Sequence, residues 1–220
     1  RANLFLEYFR AIEVMRPQIF VYENVKGLSS FNNGKLLEEI KNLFSSIGYE
    51  ISIHLINAVD YGVPQIRERV FIFGSKKGIN FSIPKKTHHK KSFNNYLTIK
   101  DALSDLPRIG NNSSASFYFS KPRNKYQELM RNNAPRKLMD HNSSKHGKNL
   151  ITSMGYLPEG GLKSDIPVKF RPKSGYSNSY GRLWWKKPST TLTRNFGTPS
   201  SARCIHPKVN RALTTREGAR

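Results

Sequence analysis

The chain has 220 residues, of which 37% are hydrophobic, so it can bury the core of one medium domain or of a domain and a half. Lys and Arg number 37 against 15 Asp and Glu, which gives a formal net charge of +22. A surplus this large is uncommon for an enzyme of small neutral metabolites and favours a polyanionic partner, most simply nucleic acid. A solvated basic surface or a ribosome-associated protein is the alternative.

The single cysteine and the short apolar runs exclude disulfide-rich proteins and membrane-spanning proteins. Cys204 stands alone, which excludes an internal disulfide, and without a second clustered pair of ligands beside Cys204 and His206 we expect no metal. No apolar run approaches the roughly 20 residues of a membrane span, and no signal segment opens the chain. We therefore expect a soluble cytoplasmic protein with no membrane partner. The missing initiator Met and a predicted helix cut at residue 220 indicate a fragment.

Hydrophobic periodicity predicts alternating helices and strands over residues 1–75. Apolar residues at helical spacing predict two amphipathic helices, and short β-branched or aromatic runs predict three strands. In chain order these are a helix from Leu4 to Met15 ended by Pro17, a strand Ile19–Tyr22, a helix from Leu36 to Ile47 capped by Gly48, and strands Ile51–Ile56 and Val70–Phe73. The continuous apolar run of the first strand predicts burial on both faces. We interpret this α/β order as part of a Rossmann-like doubly wound sheet.

The composition changes from Lys76 onwards. Lys, Asn, Ser and turn-forming residues become frequent, and we interpret the stretch to Arg203 as a smaller, irregular, β-rich domain. The dense positive charge of Lys85–Lys91 predicts a phosphate-facing stretch. We therefore predict a division into residues 1–84, 85–205 and 206–220, the last being the start of a returning helix.

Capping boxes predict two short helices in the later part of the chain. Thr98 with Asp101 fits one box, and Thr214 with Glu217 fits the other. The first helix is expected to end before Pro107.

Polar residues at the end of the first strand and before the third form a candidate site. Glu23 follows four apolar residues, and partial removal from water there favours a protonated carboxyl group that can donate a proton near neutral pH. Arg67 and Arg69 alternate, so on extended chain both project to one side, where they can grip a carbonyl oxygen or a phosphate. Glu68 points the other way and is predicted to form a salt bridge. A solvated strand-end acid and an exposed charged edge strand are the alternatives.

Four motifs in this order resemble those of the cytosine-C5 DNA methyltransferases. They are Glu23-Asn24-Val25 after a buried strand, the segment from Asn57 to Arg69 that reads NAVDYGVPQIRER, the segment Pro188 to Thr193, and Arg211 to Glu217. The opening Arg1-Ala2-Asn3-Leu4-Phe5 also resembles the helix start that precedes the first motif in that family. The third segment resembles the Thr-Leu signature of the target recognition domain.

The resemblance implies an enzyme that swings a cytosine out of duplex DNA, because the C5 and C6 atoms are inaccessible while the base is stacked. A cysteine thiolate then attacks C6. Glu23 would hold N3 and the exocyclic amine, Arg69 would bind O2, and Arg67 would steady the flipped nucleotide and the thiolate region. S-adenosyl-L-methionine would supply the methyl group, with Leu4 beside its pocket.

The resemblance also implies residues that contact double-stranded DNA. Thr191 is expected to contact a phosphate beside the flipped nucleotide, and Arg182 is expected to reach the groove. The full expected set is Gln65, Arg182, Thr191, Thr193 and Arg194.

Three elements of the family pattern are missing, one of them the closing segment that would follow Arg220. The family's nucleophilic Cys follows a Pro upstream of the helix that opens this chain, and Cys204 lies in the recognition region, so we do not assign it as nucleophile. The glycine-containing cofactor loop is absent as well. We therefore predict a fragment, inactive alone, of a DNA (cytosine-5) methyltransferase from a prokaryotic restriction-modification system, associated with the nucleoid through DNA. A cognate restriction endonuclease would act separately.

Two alternatives remain open. One is a non-catalytic basic DNA-binding or specificity module, and the other is a related tRNA cytosine-C5 methyltransferase. The long basic region between Gly74 and Arg211 disfavours the tRNA enzyme. A Pro-Cys pair and a Gly-rich loop immediately upstream in the gene would distinguish an enzyme from a binding module.

Overall fold

A computed structural model describes residues 4–89, 95–176 and 178–220 of the chain. The chain forms two compact units: unit 1 comprises Arg1–Asp60 and Arg67–Thr87, and unit 2 comprises Tyr61–Ile66 and His88–Arg220. The predicted boundaries after residues 84 and 205 stay predictions. None of the helices in the described ranges combines the length and the apolar composition of a membrane span.

Unit 1 contains the helices and strands that the hydrophobic pattern predicts. In chain order they are α1 (Leu4–Met15), β1 (Ile19–Val25), α2 (Lys35–Ser46), β2 (Tyr49–Asn57) and β3 (Glu68–Lys76). Gly48 follows α2 with a φ of +89°, a left-handed conformation that ends helices and that glycine adopts without strain. The expected mixed α/β fold is therefore confirmed.

The described strands form one sheet in the order β1-β3-β2, and both pairings are antiparallel. The doubly wound parallel arrangement is not seen among these strands. β1 and β2 run in the same direction, since both are antiparallel to β3, and α2 connects them. The link from Ala58 to Arg67 is too short for a helical crossover, so β3 returns between them in the opposite direction.

One face of this sheet packs beneath α1 and α2. The core includes Ile12, Ile40 and Phe44 from the helices with Phe20 and Ile72 from the strands. Gly74 lies opposite Phe20 in the register, and a Cβ at Gly74 would collide with the Phe20 ring, so glycine is what lets the ring lie flat there.

The prediction that β1 is buried on both faces is wrong for the part of the chain that the structure describes. Exposure alternates along β1: Phe20 is 4% exposed, whereas Val21 is 47% exposed. The apolar run correctly indicated a strand, but which faces are covered depends on the elements packed against the sheet.

Unit 2 is built from short helices and irregular chain. Its α-helices are α3 (Ile99–Leu103), α4 (Lys125–Arg131), α5 (Lys148–Gly155) and α6 (Thr215–Gly218). Both predicted capping boxes are present, at the start of α3 and at the start of α6. In the described residues of this unit, backbone pairing between extended segments is limited to isolated bridges such as Arg182 with Ile205. The expected β-rich character is therefore not observed.

Candidate active site

Glu23 and Arg69 form an ion pair on the exposed face of the unit 1 sheet. The antiparallel register sets Val25 opposite Arg69 and Glu23 opposite Phe71, so Glu23 and Arg69 are diagonal neighbours on one face. Glu23 Oε1 lies 3.0 Å from Arg69 Nε. The Arg69 side chain is 19% exposed and the Glu23 side chain 46% exposed. The sheet therefore places a carboxylate and a guanidinium group together near the carboxyl end of β1.

The environment of Glu23 differs from the one expected. Its side chain is nearly half exposed among the described residues, so the expected removal from water is not observed. The feature that distinguishes Glu23 from an ordinary strand-end acid is instead its fixed partner. A paired carboxylate next to an oriented guanidinium group can bind a ligand that offers both a donor and an acceptor.

Arg67 lies just outside the strand ladder, and a side chain fixes its backbone. The Arg67 N–H donates to Asn57 Oδ1 at 3.0 Å, and the Arg67 carbonyl accepts from the Ala58 N–H at 3.0 Å. No sequence motif pointed to a separate role for Asn57. The only signal was an amide side chain at the end of a predicted strand, where such a residue commonly satisfies local backbone groups.

The predicted salt bridge of Glu68 is confirmed. Lys26 Nζ lies 2.9 Å from Glu68 Oε2. Because alternate residues of a strand point to opposite faces, Glu68 and Arg69 project to different sides of the sheet. The Glu68 carboxylate therefore does not compete with Glu23 for Arg69.

Leu4 lies at the rim of a pocket of about 490 Å³ in unit 1. The residue is 75% exposed, and Arg1 to Asn3 of the same motif lie outside the described residues. The pocket walls are mostly apolar, with Asn24 as a polar group, and its volume is within the range of small-molecule sites. Part of the pocket lining comes from β1, the strand that also carries Glu23. These lining residues are Tyr22, Asn24 and Val25.

Gln65 and Thr191 are brought together in unit 2 although 125 residues separate Ile66 from Thr191. Gln65 forms a parallel bridge with Ser189, the Ile66 N–H donates to the Ser189 carbonyl at 2.8 Å, and the Ser189 N–H donates to the Pro64 carbonyl at 2.8 Å. The Thr191 hydroxyl donates to the Ile66 carbonyl at 3.0 Å. Two of the predicted DNA-contacting residues therefore belong to one paired segment.

Arg182 has a structural role in place of the expected groove contact. It is 5% exposed, and its guanidinium group donates to the carbonyls of Met154, Leu157, His206 and Val209 and to the side chain of Asn210, at 2.5 to 3.1 Å. A guanidinium group has five N–H donors, and all three of its nitrogens are engaged here. Arg182 therefore holds loops of unit 2 together and presents no donor to a base.

Thr193 and Arg194 are exposed, as a direct contact with DNA would require. The predicted phosphate-facing stretch Lys85–Lys91 is described only as far as residue 89, and its remaining residues lie outside the described ranges. Among the described residues of that stretch, Lys86 pairs with Asp60 at 2.7 Å.

Cys204 is fully buried in unit 2, and burial raises the pKa of its thiol to about 12. A thiol in this state is neutral at physiological pH, whereas a nucleophilic cysteine acts as the thiolate. This environment is consistent with leaving Cys204 unassigned as nucleophile. Over the described ranges, no group of three or more His, Cys, Asp or Glu residues could hold a metal ion.

The motif Arg211 to Glu217 forms a buried polar network. Arg211 is 0% exposed and binds Glu217 through two hydrogen bonds of 2.7 and 2.8 Å. Burial is the largest single influence on Glu217 and would raise its pKa, but the hydrogen bonds from Arg211, the charges of His206 and Arg211 and the Thr214 N–H together lower the pKa. The same carboxylate also accepts from the Thr214 N–H in the capping box. These residues stabilise the start of α6 and do not face solvent.

The fold is that of a methyltransferase. The structure of an E. coli protein described as a DNA modification methyltransferase encoded within a prophage matches with a TM-score of 0.70, over 99% of this chain and 62% of that chain, at 23% identity. A likeness at this identity establishes the fold.

The family follows from the sequence. Residues 1–220 match the family described as C-5 cytosine-specific DNA methylase. The chain is similar to the type II methyltransferase M1.HphI of Haemophilus parahaemolyticus, with 31% identity over 219 residues, 99% of this chain and 50% of that protein. It is also similar to the type II methyltransferase M.DdeI of Desulfomicrobium norvegicum, with 33% identity over 241 residues, 100% of this chain and 56% of that protein. The chain belongs to the C-5 cytosine-specific DNA methylase family, as the motifs indicated, and spans about half the length of these relatives.

Proposed function

We propose that this chain is part of an enzyme that transfers a methyl group to C5 of cytosine in double-stranded DNA, within a restriction-modification system. The observation that carries the proposal is the ion pair of Glu23 with Arg69, in a chain that matches the methylase family throughout. The motifs that specify the family supply both residues of this pair. The relatives at 31% and 33% identity are type II methyltransferases, which favours the restriction-modification context.

Glu23 and Arg69 together suit one edge of a cytosine ring. The carboxyl group of Glu23 would contact N3 and the exocyclic amine, and its protonation of N3 would stabilise negative charge as it develops in the ring. Arg69 would donate to O2 of the same ring. Their contact of 3.0 Å sets both groups within reach of a single planar ligand. Flipping the cytosine out of the duplex is required because these ring atoms are otherwise stacked and paired.

Arg67 would steady the flipped nucleotide. Its guanidinium group is a permanent cation with a planar donor fork, which suits a phosphate or the region of an attacking thiolate. The thiolate itself would come from a cysteine other than Cys204, because Cys204 is buried and its pKa is about 12.

S-adenosyl-L-methionine would be the methyl donor. The pocket of about 490 Å³ in unit 1 fits such a ligand in size and in its mixture of apolar walls with one amide. Leu4 at its rim would contact the cofactor, and Phe5 and Tyr22 would exclude water from it.

Unit 2 would bind the DNA. The net charge of +22 favours a phosphate backbone as partner, and such contacts give affinity that falls as salt rises. Gln65 and Thr191, paired through the segment around Ser189, would contact the DNA beside the flipped nucleotide. Thr193 and Arg194 are exposed next to them in sequence and would extend this contact.

The direct test is methyl transfer by the full-length protein, with labelled S-adenosyl-L-methionine and duplex DNA. Glu23→Gln should lower the rate constant by about 10²- to 10⁴-fold, the contribution typical of an acid catalyst, while DNA affinity changes little. The amide fills the same space but cannot supply the proton. Glu7→Gln is the matched control, because Glu7 is also an exposed unit 1 carboxylate paired with an arginine, Arg10.

Wild-type turnover by Glu23→Gln would make Glu23 a structural strand-end acid. The 220-residue chain by itself should bind duplex DNA at low salt and transfer no methyl group. If it fails to bind DNA at low salt, the DNA-binding part of the proposal is wrong.

A further inference from the structure

We propose that Asn57 is a positioning residue for Arg67: its side-chain oxygen takes the place of a strand partner at the position where the sheet ends. This inference rests on the proposed function for its kinetic consequences. The contact itself is a property of unit 1 alone, since Asn57, Val59 and Arg67 all belong to that unit.

Arg69 and Arg67 are held in different ways. Arg69 is paired on both sides, with Val25 of β1 and with Ile56 of β2. The pairing of β3 ends at Glu68 on the β2 side and at Arg69 on the β1 side, so Arg67 precedes both ladders. The strand pairing that fixes the backbone of Arg69 therefore does not reach Arg67.

Asn57 supplies the missing constraint. Its Oδ1 accepts from the Arg67 N–H at 3.0 Å and from the Val59 N–H at 3.4 Å, and the Ala58 N–H donates to the Arg67 carbonyl at 3.0 Å. The Arg67 backbone is therefore bonded at its donor to the last residue of β2 and at its acceptor to the residue that follows it. A side-chain oxygen that bonds local backbone groups in this way competes with and replaces regular pairing.

The consequence concerns where the guanidinium group of Arg67 is presented. A group that must meet one ligand geometry loses much of its effect when its backbone is free to move by about 1 Å, at a cost of about 10²-fold in rate. Asn57 touches no substrate in this scheme and acts only through Arg67. Loss of its oxygen should therefore resemble loss of the Arg67 side chain.

Two variants separate the oxygen from the rest of the side chain. Asn57→Asp keeps an oxygen in place to accept both N–H groups, and Asn57→Ala removes it. Asn111→Ala is the matched control, because the Asn111 amide also bonds backbone groups, donating to the His146 carbonyl at 3.1 Å and accepting from the His146 N–H at 2.8 Å in unit 2. All three would be checked for unchanged thermal unfolding before the rates are compared.

The first measurement is amide hydrogen exchange on the 220-residue chain. In Asn57→Ala the Arg67 and Val59 amides should exchange about 10-fold faster or more, as expected for the loss of one hydrogen bond, while Asn57→Asp keeps their protection. Asn111→Ala should leave both amides unchanged. Unchanged protection of Arg67 in Asn57→Ala would overturn the proposal whatever the enzyme does.

The second measurement is a double-mutant cycle on the full-length enzyme. Asn57→Ala should lower kcat/KM by about 10- to 100-fold with the same division between kcat and KM as Arg67→Ala. The double variant should be no slower than Arg67→Ala alone, because both act through one group, whereas combination with Arg194→Ala should multiply the losses. Asn57→Asp should restore the wild-type rate.

Independent, multiplying effects of Asn57→Ala and Arg67→Ala would overturn the proposal. If the wild-type enzyme transfers no methyl group to cytosine, the proposed function is wrong, and the exchange measurement still decides whether Asn57 holds Arg67.

Discussion

Units 1 and 2 are stabilised by different kinds of hydrogen bond. In unit 1 the backbone bonds of three strands fix the chain, and charged side chains such as those of Arg10 and Glu7 lie at the surface. In unit 2 the described residues form no extended ladder, and buried side chains bond the backbone of irregular loops, as Arg182 and Arg211 do. A regular sheet satisfies its own polar groups, whereas irregular buried chain needs donors from side chains.

Because of this difference, an arginine side chain can stay available to a ligand in unit 1 and be bonded to the backbone in unit 2, as one residue from each unit shows. Arg69 in unit 1 is fixed by the sheet, and its guanidinium group remains partly exposed beside Glu23. Arg182 in unit 2 also counts toward the net positive charge. All of its guanidinium donors, however, are bonded to four backbone carbonyls and one side-chain amide oxygen. The net charge of +22 therefore overstates the positive charge available to DNA.

The largest expected effect comes from breaking the buried pair of Arg211 with Glu217. Arg211→Ala should lower the free energy of unfolding by about 3–5 kcal/mol, because it leaves the Glu217 carboxylate buried without its partner. Arg10→Ala in unit 1, where both partners are more than half exposed, should cost no more than about 0.5 kcal/mol. Urea unfolding of both variants measures this contrast, and equal losses would contradict the proposed difference between the units.

Acid should destabilise unit 2 through His206. Burial lowers the pKa of His206 from 6.5 to about 4, Glu217 opposes that shift, and Arg211, Arg108 and Arg182 add to it. The folded state therefore keeps His206 neutral where the unfolded state binds a proton, so its contribution is full above pH 6.5 and is lost as pH falls towards 4. The loss should be on the order of 3 kcal/mol. Unfolding in urea between pH 7.5 and 4 measures it.

His206→Gln should flatten this pH dependence, although His146 contributes in the same direction because burial lowers its pKa as well. A wild-type curve that stays level from pH 7.5 to 4.5 would show that His206 does not stay neutral in the folded protein.

Arg182→Lys should destabilise the protein without changing its preference among DNA sites. Lysine offers three donors where the guanidinium group offers five, so at least two of the five contacts are lost, at a cost of about 2 kcal/mol. Arg194→Ala should do the reverse, weakening DNA binding while stability is unchanged, because Arg194 is exposed. Thermal unfolding and methylation of a panel of mixed duplex sites separate the two roles. An altered site preference in Arg182→Lys would support the original expectation that Arg182 contacts the DNA groove.

The smallest expected effect is that of Thr191→Ala. Loss of its hydrogen bond to the Ile66 carbonyl should cost about 1 kcal/mol of stability. It should also weaken binding to all duplexes to a similar extent, as expected for a contact that sets register on the backbone. Fluorescence anisotropy with several unrelated duplexes tests this. A loss confined to one sequence would make Thr191 a base-reading residue.

Much of unit 1 could be predicted because its information is local. Periodic apolar residues and Gly48 after α2 each act within a few residues of chain, and the structure contains these elements. Glu23 and Arg69 could also be predicted as site residues, because alternation along a strand fixes which side chains share a face.

The sequence by itself determined the family, the order of the elements in unit 1 and the residues of the Glu23–Arg69 pair. Only the tertiary structure decided that β3 runs antiparallel between β1 and β2, that Asn57 holds Arg67, and that Arg182 is buried. An apolar run predicts a strand but not whether that strand runs parallel or antiparallel to its neighbours. An arginine in a sequence predicts a positive charge but not which acceptors it will bond. Those acceptors are backbone carbonyls of Met154, Leu157, His206 and Val209, and carbonyls occur at every residue, so only the folding of distant loops selects which of them meet.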